Sequence, residues 1–205
     1  MDNLSSRPAP RTQTRGRILQ GLDEAICELG LDGVTVAAVL RHANVSRRTY
    51  YQYFGSLQVA LVALHEQLAA SLAMAVLRSI GRQPDLVAQV RGGASAYLDF
   101  QVAGGPALYA LQRQAAVAGS PLNNAHEAVL GQLIESLVTE TERMTGVAPD
   151  PLVFRGLLLG IEAVVLHKQR DGTFSTADRD HVAGVLEPVL LGLLRSASSW
   201  ARPVG

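Results

Sequence analysis

The sequence predicts an all-α protein of about nine helices, and three observations carry that expectation. Apolar residues recur at i, i+3, i+4 spacing through most of the 205 residues, no strand-like alternation interrupts them, and Gly- and Pro-containing breaks separate the periodic runs. Aromatics make up only 5% of the chain, while 48% of its residues are apolar. Such a chain buries a substantial core, as one domain or two small ones.

Residues 1–11, M-D-N-L-S-S-R-P-A-P-R, read as a flexible basic arm, because prolines on either side of Ala9 discourage a helix and nothing here forms a core. Arms of this kind enter a minor groove or lie along phosphates. An unstructured tail without a role fits the same residues. A first helix is expected from Thr12 or Thr14 to Leu29, with Ile18, Leu22, Ala25, Ile26 and Leu29 at helical spacing and Gly30 ending the run. Cys27 lies near these apolar positions and is expected to be packed or partly packed. As the single cysteine it forms no internal disulfide, which suits a reducing cytoplasm.

The stretch from Thr35 to Phe54 is the most informative. Thr35 caps a short helix that turns Val36, Val39 and Leu40 inward, and Ser46 caps a second that turns Tyr50 and Phe54 inward, four residues apart. Between them stands Ala43-Asn44-Val45. Asparagine tolerates a left-handed backbone, and a small residue lets helices approach. This is the pattern of a helix-turn-helix. Its second helix is left with Arg47, Arg48, Thr49, Gln52 and Tyr53 facing outward, donors and acceptors at a helix N-terminus of the kind that meets base edges and phosphates.

The segment A-N-V-S-R-R-T-Y-Y-Q-Y-F-G-S-L resembles the DNA-binding signature of the TetR family of bacterial transcriptional regulators, close to A-G-V-S-x-G-T-L-Y-x-Y-F-x-S-K. Ala43, Val45, Ser46, Thr49, Tyr51, Tyr53, Phe54 and Ser56 match it. Asn44, Arg48, Tyr50 and Leu57 replace its two glycines, its leucine and its lysine. The lysine commonly touches a DNA phosphate, which a leucine cannot do. Backbone N–H groups at the start of the following helix would have to serve instead. The motif spans about the first quarter of the chain; beyond it only length and helix layout are similar.

The resemblance implies a homodimer that sets two recognition helices into successive major grooves of a partly palindromic operator on double-stranded DNA, with a repressor expected. Arg47 is suited to guanine and Gln52 to adenine, and Arg48 to either base edges or backbone. Thr35, Thr49, Tyr51 and Tyr53 are expected on the DNA backbone, with Arg15 or Arg17 adding charge. A helical ligand-binding or adaptor protein with a vestigial headpiece is the competing reading, for which Arg48 and Leu57 speak. Overall charge is balanced, 18 basic residues against 18 acidic, which by itself argues against nucleic acid. Its distribution does not: four arginines and no acid lie between Arg7 and Arg17, and residues 54–205 carry a net of about −2.

A helix-turn-helix domain over residues 12–54 and a helical effector-binding and dimerisation domain over 55–205 follow from this division. From Ser56 to about Ile80 a long helix carries Leu57, Ala60, Leu61, Leu64, Leu68 and Leu72 on one stripe, and it is the expected transmission element. After Gly81–Asp85, helices are expected over 86–102, 106–118 and 122–144, with Gly92-Gly93 bending the first. Asp150 and Pro151 start a helix to about Lys168. Ser175–Asp178 forms a capping box for a last one reaching about Ser198, in which Pro188 should introduce a kink.

Gly156 and Gly160 share a helix face that admits another helix closely, and the final stripe of Val182, Val185, Leu186, Val189, Leu190, Leu193 and Leu194 is too broad for one neighbour. The last two helices are therefore expected to pair with their copies in a second subunit, and charged substitutions at Leu190 and Leu193 to give monomers. Burial of these helices within a single subunit is the alternative.

An unknown small-molecule effector is expected among the middle helices, with Tyr97, Phe100, Tyr109, Gln112, Arg113, His126, Phe154 and His167 as candidate contacts, each an aromatic wall or a polar tip on an apolar stretch. No enzyme, cofactor or metal is expected. His42, His65, His126, His167 and His181 are scattered, with no ligand spacing, although His42 could reach a phosphate; Gly-x-Ser-x-Gly is absent. The N-terminus lacks the apolar segment of a signal peptide, and the run from Leu152 to Leu166 is short for a membrane span and contains Arg155 and Glu162. A cytoplasmic protein without a membrane partner is the expectation.

Overall fold

Eight helices and no strand make up the described residues, 10–169 and 173–195, of the computed structural model. They are α1 Pro10–Leu29, α2 Val36–Ala43, α3 Arg47–Tyr53, α4 Leu57–Ile80, α5 Leu86–Ala115, α6 Pro121–Thr145, α7 Pro151–Lys168 and α8 Thr176–Arg195. The chain divides into two compact units, the first ending at Leu64 and the second beginning at His65. Helix α4 contributes residues to both.

In the first unit α1 packs on α2, and Ile18, Leu19, Leu22, Ala25 and Ile26 of the first and Ala38, Val39 and Ala43 of the second are buried, as are Tyr50 and Phe54. Helix α1 begins at Pro10, where the missing N–H costs nothing, so Pro10 and Arg11 belong to a helix and not to an arm. The remainder of the expected arm lies outside the described residues. Cys27 is exposed, not packed, because it falls one residue off the stripe that Ile26 marks. Leu29 is also exposed, at the helix end where Gly30 takes a positive φ of 73° and its N–H donates to the Ile26 carbonyl.

The close approach in this unit is made by a residue the motif does not contain. A Cβ on Gly21 would stand 2.5 Å from the backbone nitrogen of Ala43 and 2.7 Å from its Cβ. Since both obstacles belong to helix backbone or its first side-chain atom, neither can swing away. Gly21→Ala is therefore expected to destabilise the first unit by about 1–3 kcal/mol through overpacking, despite the helix propensity alanine gains. A urea titration followed by circular dichroism checks this, and an unchanged midpoint would contradict it.

The second unit is built around Val76, Ile80, Tyr97, Leu98, Leu137, Ile161, Val165, Phe174 and Val182. Its helices start on caps that the sequence supplies: Asp85, Ser120 and Asp150 accept from backbone N–H groups of α5, α6 and α7. At α8, Asp178 N–H donates to Ser175 Oγ and Ser175 N–H to Asp178 Oδ2, each at 3.1 Å, a reciprocal capping box. Helix α5 joins the two helices expected over 86–102 and 106–118 and ends at Ala115, since the break between them is reduced to one residue, Gly105, at φ 63° and ψ −167°. Counting either side of it separately gives nine helical segments among the described residues.

Gly92 and Gly93 do not bend α5. They let it press against α4: a Cβ on Gly93 would lie 3.2 Å from Ile80 Cγ1, and Ser79 Oγ donates to the Gly92 carbonyl at 2.8 Å. Charge pairs Arg91–Glu187 and Arg179–Asp99 tie α8 to α5 at the surface, where each contributes about 0–1 kcal/mol. Leu190 is buried within the chain, which removes it from the positions free to meet another subunit. The side chains of Leu193 and Leu194, and Ser198, lie outside the described residues.

Candidate nucleic-acid interface and ligand cavity

The turn between α2 and α3 rests on Asn44, at φ 49° and ψ 52°, whose N–H donates to the Leu40 carbonyl. Thr35 caps α2 by accepting from Ala38 N–H, and Ser46 caps α3 by accepting from Thr49 N–H at 3.0 Å. Thr49 Oγ1 lies 2.8 Å from Ser46 Oγ, so its hydroxyl is tied into the cap. With Tyr50 and Phe54 buried, the helix period leaves Arg47, Arg48, Tyr51 and Gln52 exposed along one face, and Tyr53 and Thr49 beside it.

Tyr50 stands where the resembling motif has a leucine, and its ring shows what the change does. The hydroxyl donates to the Ser56 carbonyl at 3.2 Å, and Ser56 in turn caps α4 through Val59 N–H. Tyr51 meets the same ring edge-on at 5.3 Å and Phe54 at 5.9 Å. Burial pushes the Tyr50 phenol up from its ordinary value, which keeps the proton on the donor. The residue therefore ties α3 to the start of α4.

Electrostatics separate the exposed arginines into two groups. Arg41 is held by Glu28 at 2.9 Å, and His42 approaches Glu28 at 2.7 Å and Glu24 at 3.5 Å, so His42 faces the carboxylates of α1. The hydrogen bond from His42 holds the Glu28 carboxyl below its usual range. Arg47 and Arg48 meet no carboxylate among the described residues, and Arg15 lies 5.7 Å over the ring of Phe54. Arg17 is exposed. The face of α3 thus carries uncompensated positive charge beside an amide and a phenol, a set able to donate to phosphates and to purine edges.

Two adjoining, partly open cavities lie in the second unit. One, of about 50 Å³, is lined by Leu68, Ala69, Leu72, Leu108, Leu130, Leu133 and neighbours; the other, of about 250 Å³, is bordered by Tyr97, Asn123, Glu127, Leu159, Ala163 and Leu166. Gln112, His126 and Glu162 belong to both. His126 Nε2 lies 3.2 Å from Glu162 Oε2, and the His65 and His126 rings are 5.8 Å apart. Of the candidates read from sequence, Tyr97, Gln112 and His126 come together here. Phe154 lines a separate small cavity with Ile80, Gln89 and Glu140; Arg113 lies over the Tyr109 ring; Phe100 is half-buried and His167 exposed, none of them on this wall.

His65 and Glu162 complete this wall without having been expected on it. Both carry a signal in the sequence: His65 follows Leu61 by four and precedes Leu68 by three, on the apolar stripe of α4, and Glu162 interrupts the apolar run of α7. His65 is only 3% exposed, and burial together with the neighbouring His126 pushes its pKa down to about 4. The hydrogen bond to Glu162 raises His126 instead. Burial and Glu162 push the Tyr97 phenol far up.

These shifts have opposite consequences for stability. Neutral burial of His65 stabilises the fold above pH 6.5, and that contribution is lost as pH falls from 6.5 toward about 4. His126, with Glu162, Glu127 and Arg155 around it, contributes below its ordinary pKa and loses that contribution as pH rises through its raised one. Wild type is expected to lose on the order of 3 kcal/mol through His65 between pH 6.5 and 4, at about 1.4 kcal/mol per pKa unit. His65→Leu lacks that titration, so its urea midpoint should fall less steeply over this range; parallel curves would contradict the assignment.

No protein-family model and no curated protein sequence matches the chain. Solved structures do. A TetR-family transcriptional regulator from Streptomyces coelicolor superposes with a TM-score of 0.68 at 22% identity, covering 91% of this chain and 97% of its own. One described as a putative TetR-family regulator from Mesorhizobium loti gives 0.73 at 14% identity, over 90% and 98%. FadR from Bacillus subtilis, a transcriptional regulator solved in complex with stearoyl-CoA, gives 0.66 at 18% identity, over 83% and 96%.

Proposed function

We propose that this chain, which has the all-helical fold of the TetR-family regulators it is similar to, is itself a member of that family: a cytoplasmic, homodimeric repressor that binds a partly palindromic operator and is released by a small-molecule effector. The observation that carries the reading is the exposed face of α3, where Arg47, Arg48 and Gln52 project from a capped helix in a helix-turn-helix, with no carboxylate among the described residues to neutralise the two arginines. In this reading Arg47 and Gln52 contact base edges, Arg48 either edge or phosphate, and Thr35, Thr49, Tyr51 and Tyr53 the backbone, with Arg15 or Arg17 adding charge.

Dimerisation is supported by α7 and α8. Leu152, Gly156, Leu159, Gly160 and Val164 fall along α7 at helical spacing and at least partly exposed, and a Cβ on either glycine would have nothing within 4 Å. Val185 and Val189 lie likewise on α8, each more than half exposed. Apolar faces of this extent are stable in water when a second copy covers them, as a four-helix interface. The aliphatic walls of the cavity suit an effector with an apolar body, as stearoyl-CoA has in the complex of the Bacillus subtilis neighbour. His65, on this wall, belongs to the same helix as residues Leu57–Leu64 of the first unit, so ligand contact shifts a population through α4.

Arg47→Ala is expected to weaken binding to a selected operator by about 1–3 kcal/mol and to relax preference at one base position, read by fluorescence anisotropy against single-base variants of the duplex. An unchanged base preference would remove Arg47 from the reading set. A chain that prefers no duplex over another at any salt concentration would support the adaptor reading instead.

A further inference from the structure

The polar atoms of the cavity restrict what it accepts. Around Leu68, Leu72, Leu108, Leu130 and Leu133 the wall is aliphatic. His65 and Gln112 belong to its lining, and Nδ1 of the one and Oε1 of the other are buried with no hydrogen-bond partner among the described residues. The ionisable groups nearby are already engaged with one another: His126 with Glu162 at 3.2 Å, and Arg155 with Glu127 at 2.8 Å.

Each kind of ligand head group meets this arrangement differently. Gln112 offers Oε1 as an acceptor or, with the amide turned over, Nε2 as a donor. A carboxylate or phosphate, which can only accept, would bring a second negative charge beside Glu162. An ammonium would donate, but would be desolvated with no free counter-charge, since Glu162 is already paired. A hydroxyl donates to Gln112 Oε1 and uses its remaining capacity on His65 Nδ1, accepting from it when that nitrogen carries the proton. It leaves both ion pairs intact.

We propose that the cavity takes an uncharged ligand with an aliphatic body and a hydroxyl group, and that His65 and Gln112 hold the hydroxyl. This rests on the reading of the second unit as the effector-binding part and deepens it by naming the ligand class. It also sets this chain apart from a receptor for charged acyl conjugates.

Isothermal titration of the full chain at pH 7.5 with octan-1-ol, octanoate and octylammonium, matched in apolar body and different in head group, tests it. The alcohol should bind at least about tenfold tighter than either ion, and Gln112→Leu or His65→Leu should each weaken it by about five- to tenfold, as loss of one buried hydrogen bond does. Gln112 is only half-buried, so its variant keeps the fold even if the His65 variant does not. Octanoate or octylammonium binding as tightly as the alcohol would overturn the proposal, as would no binding of any of the three, or an alcohol affinity that neither substitution changes. Operator release in the same samples is a separate reading. Charged probes that bind and release DNA would sink the ligand class and leave the regulator standing, whereas selective alcohol binding by a chain that ignores DNA would do the reverse.

Discussion

Tyr50→Ala is expected to abolish the proposed operator binding by dissolving the packing under α3. The side chain is fully buried, its ring meets Tyr51 and Phe54, and its hydroxyl donates to the Ser56 carbonyl. Truncating an aromatic of this size in a core costs about 3–5 kcal/mol, which is a large share of the stability a small helical unit possesses. Hydrogen exchange should show α1 to α3 losing protection, while octan-1-ol still binds the second unit. Tyr50→Phe keeps the ring and loses one hydrogen bond, for about 0.5–1.5 kcal/mol, and should retain DNA binding. Protection in α1 to α3 equal to that of the wild type in Tyr50→Ala would contradict the structural role given to this residue.

Val185→Glu combined with Val189→Glu should convert the protein to monomers without unfolding it. Both side chains are more than half exposed in the chain, so the charges meet water in the monomer and an apolar partner surface only in the proposed dimer. Leu190 is unsuitable for this purpose, because at 7% exposure a charge there disrupts the subunit itself. Light scattering reports the mass. Operator affinity should fall by about 10²–10⁴, since the second headpiece no longer benefits from being tethered to the first. A double variant that stays dimeric would move the interface elsewhere.

Residue type is most informative where short-range chemistry decides structure. Asn44 in the left-handed region, the caps at Thr35, Ser46, Asp150 and Ser175, and the inward pair Tyr50 and Phe54 follow from residue type and spacing alone. Long-range contacts are not legible in this way. Gly21 reads as an ordinary helix position, and its role arises only when Ala43 of another helix arrives within 2.5 Å of where its Cβ would be. Gly92 and Gly93 read as a weak point of α5 for the same reason, although Ile80 and Ser79 of α4 explain them.

The cavity shows the same limit. Tyr97, Gln112 and His126 stand out as polar tips on apolar stretches, but their partner Glu162 reads in sequence only as a charge unsuited to a membrane. His65 reads as one of several scattered histidines, although its place on the α4 stripe marks it as buried. A buried histidine is informative because it has to find a partner or lower its pKa, and helical periodicity by itself is enough to indicate the burial. The approach of His65 to His126 depends on how α4 packs against α6, which no local pattern encodes.

In the proposed function, two copies of the Arg47-bearing helix read duplex DNA together. Repeated selection of bound duplexes from a random pool, using the full chain at physiological salt, tests it most directly. The expected result is enrichment of two inverted half-sites at one fixed separation, near a whole number of helical turns. Recovery of duplexes with no shared sequence, or of single half-sites without a fixed second one, would contradict it.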